Sequence, residues 1–391
     1  MRFHVLGVPH TVTSEEYSAC AFTQKVFKFC AMMTDRGHTI FHYGHRDSTV
    51  SCHEHIAVTD DALLQKTYGS YDWKKETFKH DINDECHKVF NENAIIEIEK
   101  RKEDADFLLL FWGRGHLPTA KAFAKSLICV EPGIGSYGDV VTPFAIFESY
   151  AVMHHVYAKY SRMPRFMDAV VPNYFAKERE IPKEEFDASE YSAAPYKQYC
   201  LLIGRIITTK GIQLAIEACK IAGVKLIIAG QGSIKNAVNK TFTFEEGPLD
   251  GPGVTFVGYI TTKQRSLLMS GARCLLCPSL YAEPFGGTQV EAQMTGLPVV
   301  TTDWGAFSET VEHGVTGFRC RILEHFVWAI KNVDTLDSAY IKKRAEALYG
   351  FDKVASMYEE YFSMILKIKN DKGFYSENPD RLNLDWLSRK V

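Results

Sequence analysis

Short apolar runs alternate with amphipathic stretches of helical spacing along this chain, and the alternation starts twice. The first series opens with RFHVLGV, which ends at Gly7 and Pro9. Apolar residues at helical spacing follow from about Tyr17 to Arg36, with Gly37 as the stop. HTIFHYG, ADFLLLFWG and LICVEPG read as further strands and TAKAFAKS as a helix. The polar region between Asp72 and Glu103 holds helical stretches. From Glu178 to Tyr196 the chain turns acidic, carries two prolines and sustains no apolar period, as a linker or surface loop would. The second series then runs YCLLIG, GIQLAIEACKIAG, VKLIIAG, VTFVGYI, TKQRSLLMSG, RCLLCPS, TQVEAQMTG and LPVVTTD, again strands interleaved with helices. Strands alternating with helices predict a parallel sheet covered on both faces. Two series predict two doubly wound α/β domains. A final amphipathic helix, about Lys353 to Lys367, places Val354, Met357, Tyr358, Tyr361 and Phe362 on one face. The tail beyond Asn370 carries Leu382, Leu384, Trp386 and Leu387, which predicts that it docks.

The chain has 391 residues, more than one core usually organises, which agrees with two domains. Hydrophobic residues at 46% and charged residues at 24% exclude a disordered chain. A net charge of -3 gives no broad pull toward nucleic acid, and none is expected as a partner. The segment MRFHVLGVPHTVTSEE reads as a first strand and not a signal peptide, and no apolar run reaches the ~18 residues of a membrane span. The expected location is cytoplasmic. Peripheral membrane contact stays open, although no strongly basic amphipathic helix supports it.

Several of the ten cysteines, among them Cys129, Cys200, Cys219 and Cys274, sit inside apolar runs, as reduced buried thiols do. Cys274 and Cys277 form a CxxC, but ARCLLCPSL reads as a buried strand and no second ligand pair follows at zinc spacing. In Cys52-His53-Glu54-His55, a strand would place the two histidines on one face, yet no third ligand is identifiable. A solvated strand or loop is the expectation there.

Open parallel sheets bind ligands at the carboxyl ends of their strands. After YCLLIG, Arg205 and Lys210 stand five residues apart across a short loop that ends in Gly211. A guanidinium fork and an ammonium together suit a diphosphate, though two solvated surface cations would read the same. VKLIIAGQGS adds a pair of spaced glycines that an ordinary turn would explain. After RCLLCPS come Glu283, Pro284, Phe285, Gly286 and Gly287, then a helix containing Glu291. Paired glycines at a helix start let backbone approach a ligand, and the unpaired first-turn N–H groups seat a phosphate. Glu291, about one turn inside, is suited to a vicinal diol such as ribose, and Glu283 to sugar hydroxyls.

GRIITTKG resembles the G-R-x-x-x-x-K-G signature of retaining glycosyltransferases of GT-B architecture, particularly glycosyltransferase family 4. EPFGGTQVE resembles that family's E-x-F-G with a second glutamate eight residues on, and Ala292, Gly296, Pro298, Val299 and Val300 continue the pattern. IAGQGS, VTFVGYI, GAFSETVEHGVTGF and VVPNYF look like further landmarks in the expected order. The resemblance is dense over 199–318, sparser over 100–175 and weak before that. It implies a GT-B fold, with two Rossmann-like domains facing a central cleft and a C-terminal helix crossing back to the first. The boundaries are 1–180 for an acceptor domain, 181–197 for the linker, 198–350 for a donor domain and 351–391 for the helix and tail.

The resemblance also assigns roles. Arg205 and Lys210 neutralise the donor diphosphate, with backbone amides at Gly286 and Gly287 and Thr288 nearby; Gly204 and Phe285 belong to the same donor-binding site, Glu283 touches the transferred sugar and Glu291 the ribose. No metal or other cofactor is required. Two departures stand out. Gly7 is followed by Val8, Pro9 and His10 where the family often has a second glycine, and Glu131 replaces a histidine that faces the donor sugar. Either Glu131 or His116, in WGRGHLP, takes over that contact. His154 and His155 read as packing residues.

The expected activity is retaining transfer of a hexose from a nucleoside-diphosphate sugar, GDP-mannose ahead of UDP-glucose, to a glycan, lipid-linked or protein acceptor. The leaving phosphate takes the acceptor proton, and the glutamates are not a glycosidase pair. A Rossmann oxidoreductase is rejected, because GVPHTV lacks the G-x-G-x-x-G glycines. A sugar-nucleotide epimerase, a phosphorylase and a catalytically silent nucleotide-sugar-binding protein are the remaining alternatives.

Overall fold

The computed structural model describes residues 1–136, 138–177, 197–232 and 253–381. The acidic stretch read as a linker and the apolar tail residues Leu382 to Leu387 lie outside them. The first sheet holds seven parallel strands: β1 (Arg2–Leu6), β2 (Thr39–His45), β3 (Glu54–Thr59), β4 (Phe107–Leu110), β5 (Ile128–Ile134), β6 (Phe144–Phe147) and β7 (Ala169–Val170), in the order β3-β2-β1-β4-β5-β6-β7. Its helices are α1 (Ala21–Asp35), α2 (Asp61–Tyr68), α3 (Glu85–Glu99), α4 (Leu117–Phe123) and α5 (Tyr150–Lys159). The second sheet has six parallel strands: β8 (Tyr199–Ile203), β9 (Lys225–Ala229), β10 (Val254–Gly258), β11 (Cys274–Cys277), β12 (Val299–Thr302) and β13 (Gly317–Cys320), in the order β10-β9-β8-β11-β12-β13. With it come α6 (Ile212–Ala222), α7 (Thr262–Gly271), α8 (Gly287–Met294), α9 (Phe307–Thr310), α10 (Leu323–Asn332), α11 (Ser338–Tyr349) and α12 (Phe351–Asn370).

Both sheets reverse strand order after their first strand, so each has a switch point, between β1 and β4 and between β8 and β11. Loops leaving such neighbours diverge to opposite faces and open a crevice. Apolar runs such as FLLL in β4 and KLIIA in β9 are buried because helices cover both faces.

The last helix confirms its apolar face. Val354, Tyr358, Tyr361 and Phe362 of α12 join the first-domain core with Phe3, Phe29 and Phe107. The Tyr361 hydroxyl donates to the Met167 carbonyl at 2.7 Å, and Glu359 accepts from Arg36 at 2.6 Å. α12 thus crosses from the second sheet to the first.

The strand readings at Cys52–His55 and at Cys274–Cys277 hold, whereas the packing role expected of His154 and His155 does not. The Cys52–His55 run leads into β3, where His55 Nδ1 meets His42 Nδ1 at 3.0 Å. His154 and His155 are exposed on α5, whose core face is carried by Val152, Met153 and Val156. The near neighbour of Cys274 is Cys200, at 3.6 Å across the β8–β11 pair, and not Cys277. Among the described residues, no helix is long and apolar enough to cross a membrane.

Phe362 is fully buried, with ring centroids 4.9 Å from Phe3 and 4.8 Å from Phe107. Phe362→Ala should therefore cost about 3–5 kcal/mol of stability, read by urea denaturation. A loss under ~1 kcal/mol would mean that α12 is not part of the first-domain core.

Candidate functional site

At the second switch point the loops after β8, β9 and β11 are in backbone contact. Gly204 N–H donates to the Ala229 carbonyl at 3.0 Å, and Ile206 N–H to the Gln231 carbonyl at 2.8 Å. Gly230 sits at φ +148°, where a Cβ would lie 1.7 Å from the Gly204 carbonyl oxygen. The spaced glycines of IAGQGS are therefore demanded by close approach, and an ordinary turn does not account for them. Gly211, at φ +68°, does the same between β8 and β11: a Cβ there would lie 2.0 Å from the Pro278 carbonyl oxygen.

That contact delivers Lys210 to Glu283. The Lys210 ammonium pairs with Glu283 Oε1 and donates to the Tyr281 hydroxyl at 2.9 Å. Ser279 donates to Oε1 of Glu283 at 3.0 Å and Tyr281 to Oε2 at 2.7 Å. Burial pulls the Lys210 pKa down, but Glu283 and Tyr281 outweigh it and the net shift is upward. Burial pushes the Tyr281 hydroxyl up to about 12. An ammonium has three N–H donors, and these two partners take two of them.

The loop then leads through buried Phe285 into α8. Gly286 caps the helix at φ +80°, a left-handed conformation suited to glycine, with Phe307 beneath it. Among the described residues no side chain caps the amino end, so its first N–H groups are available to a ligand. Glu291 is occupied at both oxygens: Arg265 lies 2.8 Å from Oε2, and Lys28, from α1 of the first domain, 3.5 Å from Oε1. Burial raises its pKa, yet the two cations outweigh that and hold the carboxyl below its usual range.

Gly204, Arg205, Lys210, Glu283, Phe285, Gly286, Gly287, Thr288 and Glu291 all line one cleft of about 620 Å³ between the two sheets. Arg205 is exposed at the cleft, and the stem of Lys210 passes 3.9 Å from where a Gly204 Cβ would stand.

Glu131 and His116 do not border this cleft. Glu131 is buried, accepts from Val141 N–H at 3.0 Å, and is pushed by burial up to about 7. His116 is fully buried against Phe90, with its Nε2 2.9 Å from the Gly7 carbonyl oxygen, and burial lowers it to about 3. The first-domain wall is built instead by Lys25, Lys28, Glu148, Asn173 and Phe175. Sequence reasoning missed these five and Arg265, because each is an isolated polar or aromatic residue whose role appears only when the domains face each other.

Residues 184–342 match the family described as Glycosyl transferases group 1. The spore coat protein SA of Bacillus subtilis is 24% identical over 187 residues, which are 42% of this chain and 49% of that one. An uncharacterized glycosyltransferase of Methanocaldococcus jannaschii is 33% identical over 121 residues, 30% of each chain. The 2-deoxystreptamine N-acetyl-D-glucosaminyltransferase of Niallia circulans is 27% identical over 161 residues, 40% of each. The chain thus spans half or less of the length of these curated relatives. Over the whole fold, the sucrose-phosphate synthase of Thermosynechococcus elongatus superposes with a TM-score of 0.65 at 16% identity, covering 94% of this chain and 99% of that one. The Anabaena protein HepE, solved with UDP and glucose, does so with 0.66 at 15%, covering 93% and 99%. The protein has the GT-B fold. The match to the group 1 glycosyltransferases falls in its second half and supports a transferase of that type.

Glu131 gives a test of its placement. Its folded pKa of about 7 exceeds the ordinary 4.5, so its ionisation takes no stability away below pH 4.5 and stability falls as pH rises toward 7. Glu131→Gln should match the parent at pH 4.5 and melt roughly 3–6 °C higher at pH 8. Equal melting temperatures at pH 8 would show a solvated carboxylate.

Proposed function

We propose that this protein transfers a hexose from a nucleoside-diphosphate sugar, gripping the diphosphate with Lys210, Arg205 and the amino end of α8. The observation that carries this reading is the meeting of Lys210, Glu283 and the uncapped α8 at one switch point. In this reading the third N–H of Lys210 goes to a phosphate oxygen and Arg205 closes from the cleft mouth. Backbone N–H groups at Gly287 and Thr288 complete the anion site. Glu283, oriented by Ser279 and Tyr281, receives sugar hydroxyls, and Glu291 receives the ribose diol alongside Arg265 and Lys28.

The chemistry proposed is a retaining displacement. The sugar–phosphate bond breaks as the anomeric carbon gains positive charge, the acceptor oxygen bonds to it from the same face, and its proton passes to the leaving phosphate. Fixed positive charge at the diphosphate is then the largest contribution. Two cations and a helix terminus supply what a metal would otherwise supply, so we take the reaction to be metal-independent. The Anabaena relative with UDP supports uridine donors as the first to test, with GDP-mannose beside them. The acceptor class is a sugar-bearing molecule.

Arg205→Ala and Lys210→Ala should each lower turnover by roughly 10²–10³-fold. Arg205→Ala should keep the parental stability, and Lys210→Ala should fold but be less stable, since Glu283 then loses its buried partner. Glu291→Ala should weaken donor binding, read by calorimetry. Turnover near the parent's in both cation variants would remove the diphosphate assignment, and hydrolysis or transfer absent at high protein concentration would favour a silent binding protein.

A further inference from the structure

A charged pair in the first-domain wall of the cleft has no part in the mechanism above. Lys25 on α1 and Glu148 at the end of β6 are 7% and 5% exposed, yet both border the cleft. The Lys25 ammonium lies 2.5 Å from Glu148 Oε2 and donates to the Gly133 carbonyl at 2.8 Å. Asn173 Nδ2 donates to the same Oε2 at 2.8 Å. Both donors therefore fall on one carboxylate oxygen. Among the described residues, both donors sit on Oε2 and none is found on Oε1, while Asn173 Oδ1 is buried with no partner. An unmatched buried acceptor such as Asn173 Oδ1 is costly and marks a place where a donor from a ligand belongs, and Oε1 offers a second acceptor beside it.

Their chain neighbours fix which ligand they face. Ser149, next to Glu148, donates to the Pro284 carbonyl at 2.5 Å. Phe175, two residues after Asn173, lies parallel to Phe285 at 6.4 Å. Both acceptors thus stand across the cleft from the Glu283–Gly287 loop. Gly135 packs directly against this carboxylate: a Cβ there would lie 2.2 Å from Oε1 and 2.4 Å from Oε2. Acceptors alone suit hydroxyl groups and reject phosphate oxygens, and Lys25 offsets the carboxylate charge so that the wall does not repel a diphosphate nearby.

We propose that Glu148 Oε1 and Asn173 Oδ1 accept hydrogen bonds from hydroxyls of the sugar carried by the donor, with Lys25 as the positioning residue. This rests on the nucleotide-sugar reading of the cleft. It is tested by calorimetry with UDP-glucose against UDP and GDP-mannose against GDP, on the parent, Glu148→Gln and Gly135→Ala. The alanine methyl displaces the carboxylate end without changing a charge. Lys25→Met/Glu148→Gln, which leaves no buried charge unpaired, serves if the single carboxylate variant fails to fold, and melting curves report folding for all. The expected result is a Kd about ten-fold weaker for the nucleotide sugar, with the free nucleotide held within about two-fold. Unchanged binding of the nucleotide sugar overturns the proposal, and so does equal weakening of sugar nucleotide and nucleotide, which is general distortion. A parent protein that binds none of the four ligands overturns the donor reading itself and this inference with it.

Discussion

Backbone contact among the loops that leave β8, β9 and β11 is the constraint on which the candidate site depends. Gly230 admits the Gly204 carbonyl and Gly211 admits the Pro278 carbonyl only because neither has a Cβ. Larger residues would drive these loops apart by more than an ångström, and Lys210 would no longer reach Glu283 and Tyr281. The pair that results is largely withdrawn from water, so each partner needs the other. Removing one leaves a buried charge unpaired, which costs far more than a surface salt bridge is worth.

The same logic recurs across the cleft. Lys28 reaches from the first domain to Glu291 while lying 4.5 Å over the Phe175 ring, and Glu309 of the second domain accepts from Tyr150 and Ala151 N–H at the start of α5. Tyr259 donates to the Glu16 carbonyl at 2.6 Å. With α12 running back to the first sheet, these contacts set the width of the cleft, and hence which first-domain groups can meet a ligand held by the second. The GT-B fold supplies the crevice; side chains contributed singly from α1, β6 and the segment before Phe175 decide what its far wall presents.

Much of the second domain was legible, because a local signal carries it. The runs from YCLLIG to LPVVTTD become β8 to β12 with their helices, and Arg205, Lys210, Glu283 and Glu291 stand on short loops or a first helical turn, where sequence spacing and spatial spacing nearly coincide. In the first domain the signal thins. β6 is four residues of FAIF without alternation, and β3 follows a polar run that looks like solvated loop. The placement of Glu131 fails for a related reason. A charged residue within a strand reads as facing a ligand, whereas here Val141 N–H and a glycine turn at Gly113 give it room inside the domain.

Sequence alone determined the two alternating series, the switch-point loops with their glycines and charges, and the apolar stripe of the last helix, since periodicity and turn chemistry act over a few residues. The pairing of Lys25 with Glu148, 123 positions away, of Lys28 with Glu291 and of Lys210 with Glu283 was decided only by tertiary structure. Coulombic attraction depends on distance and on burial. Neither is defined for such residues until both sheets have formed and α12 has brought the domains together.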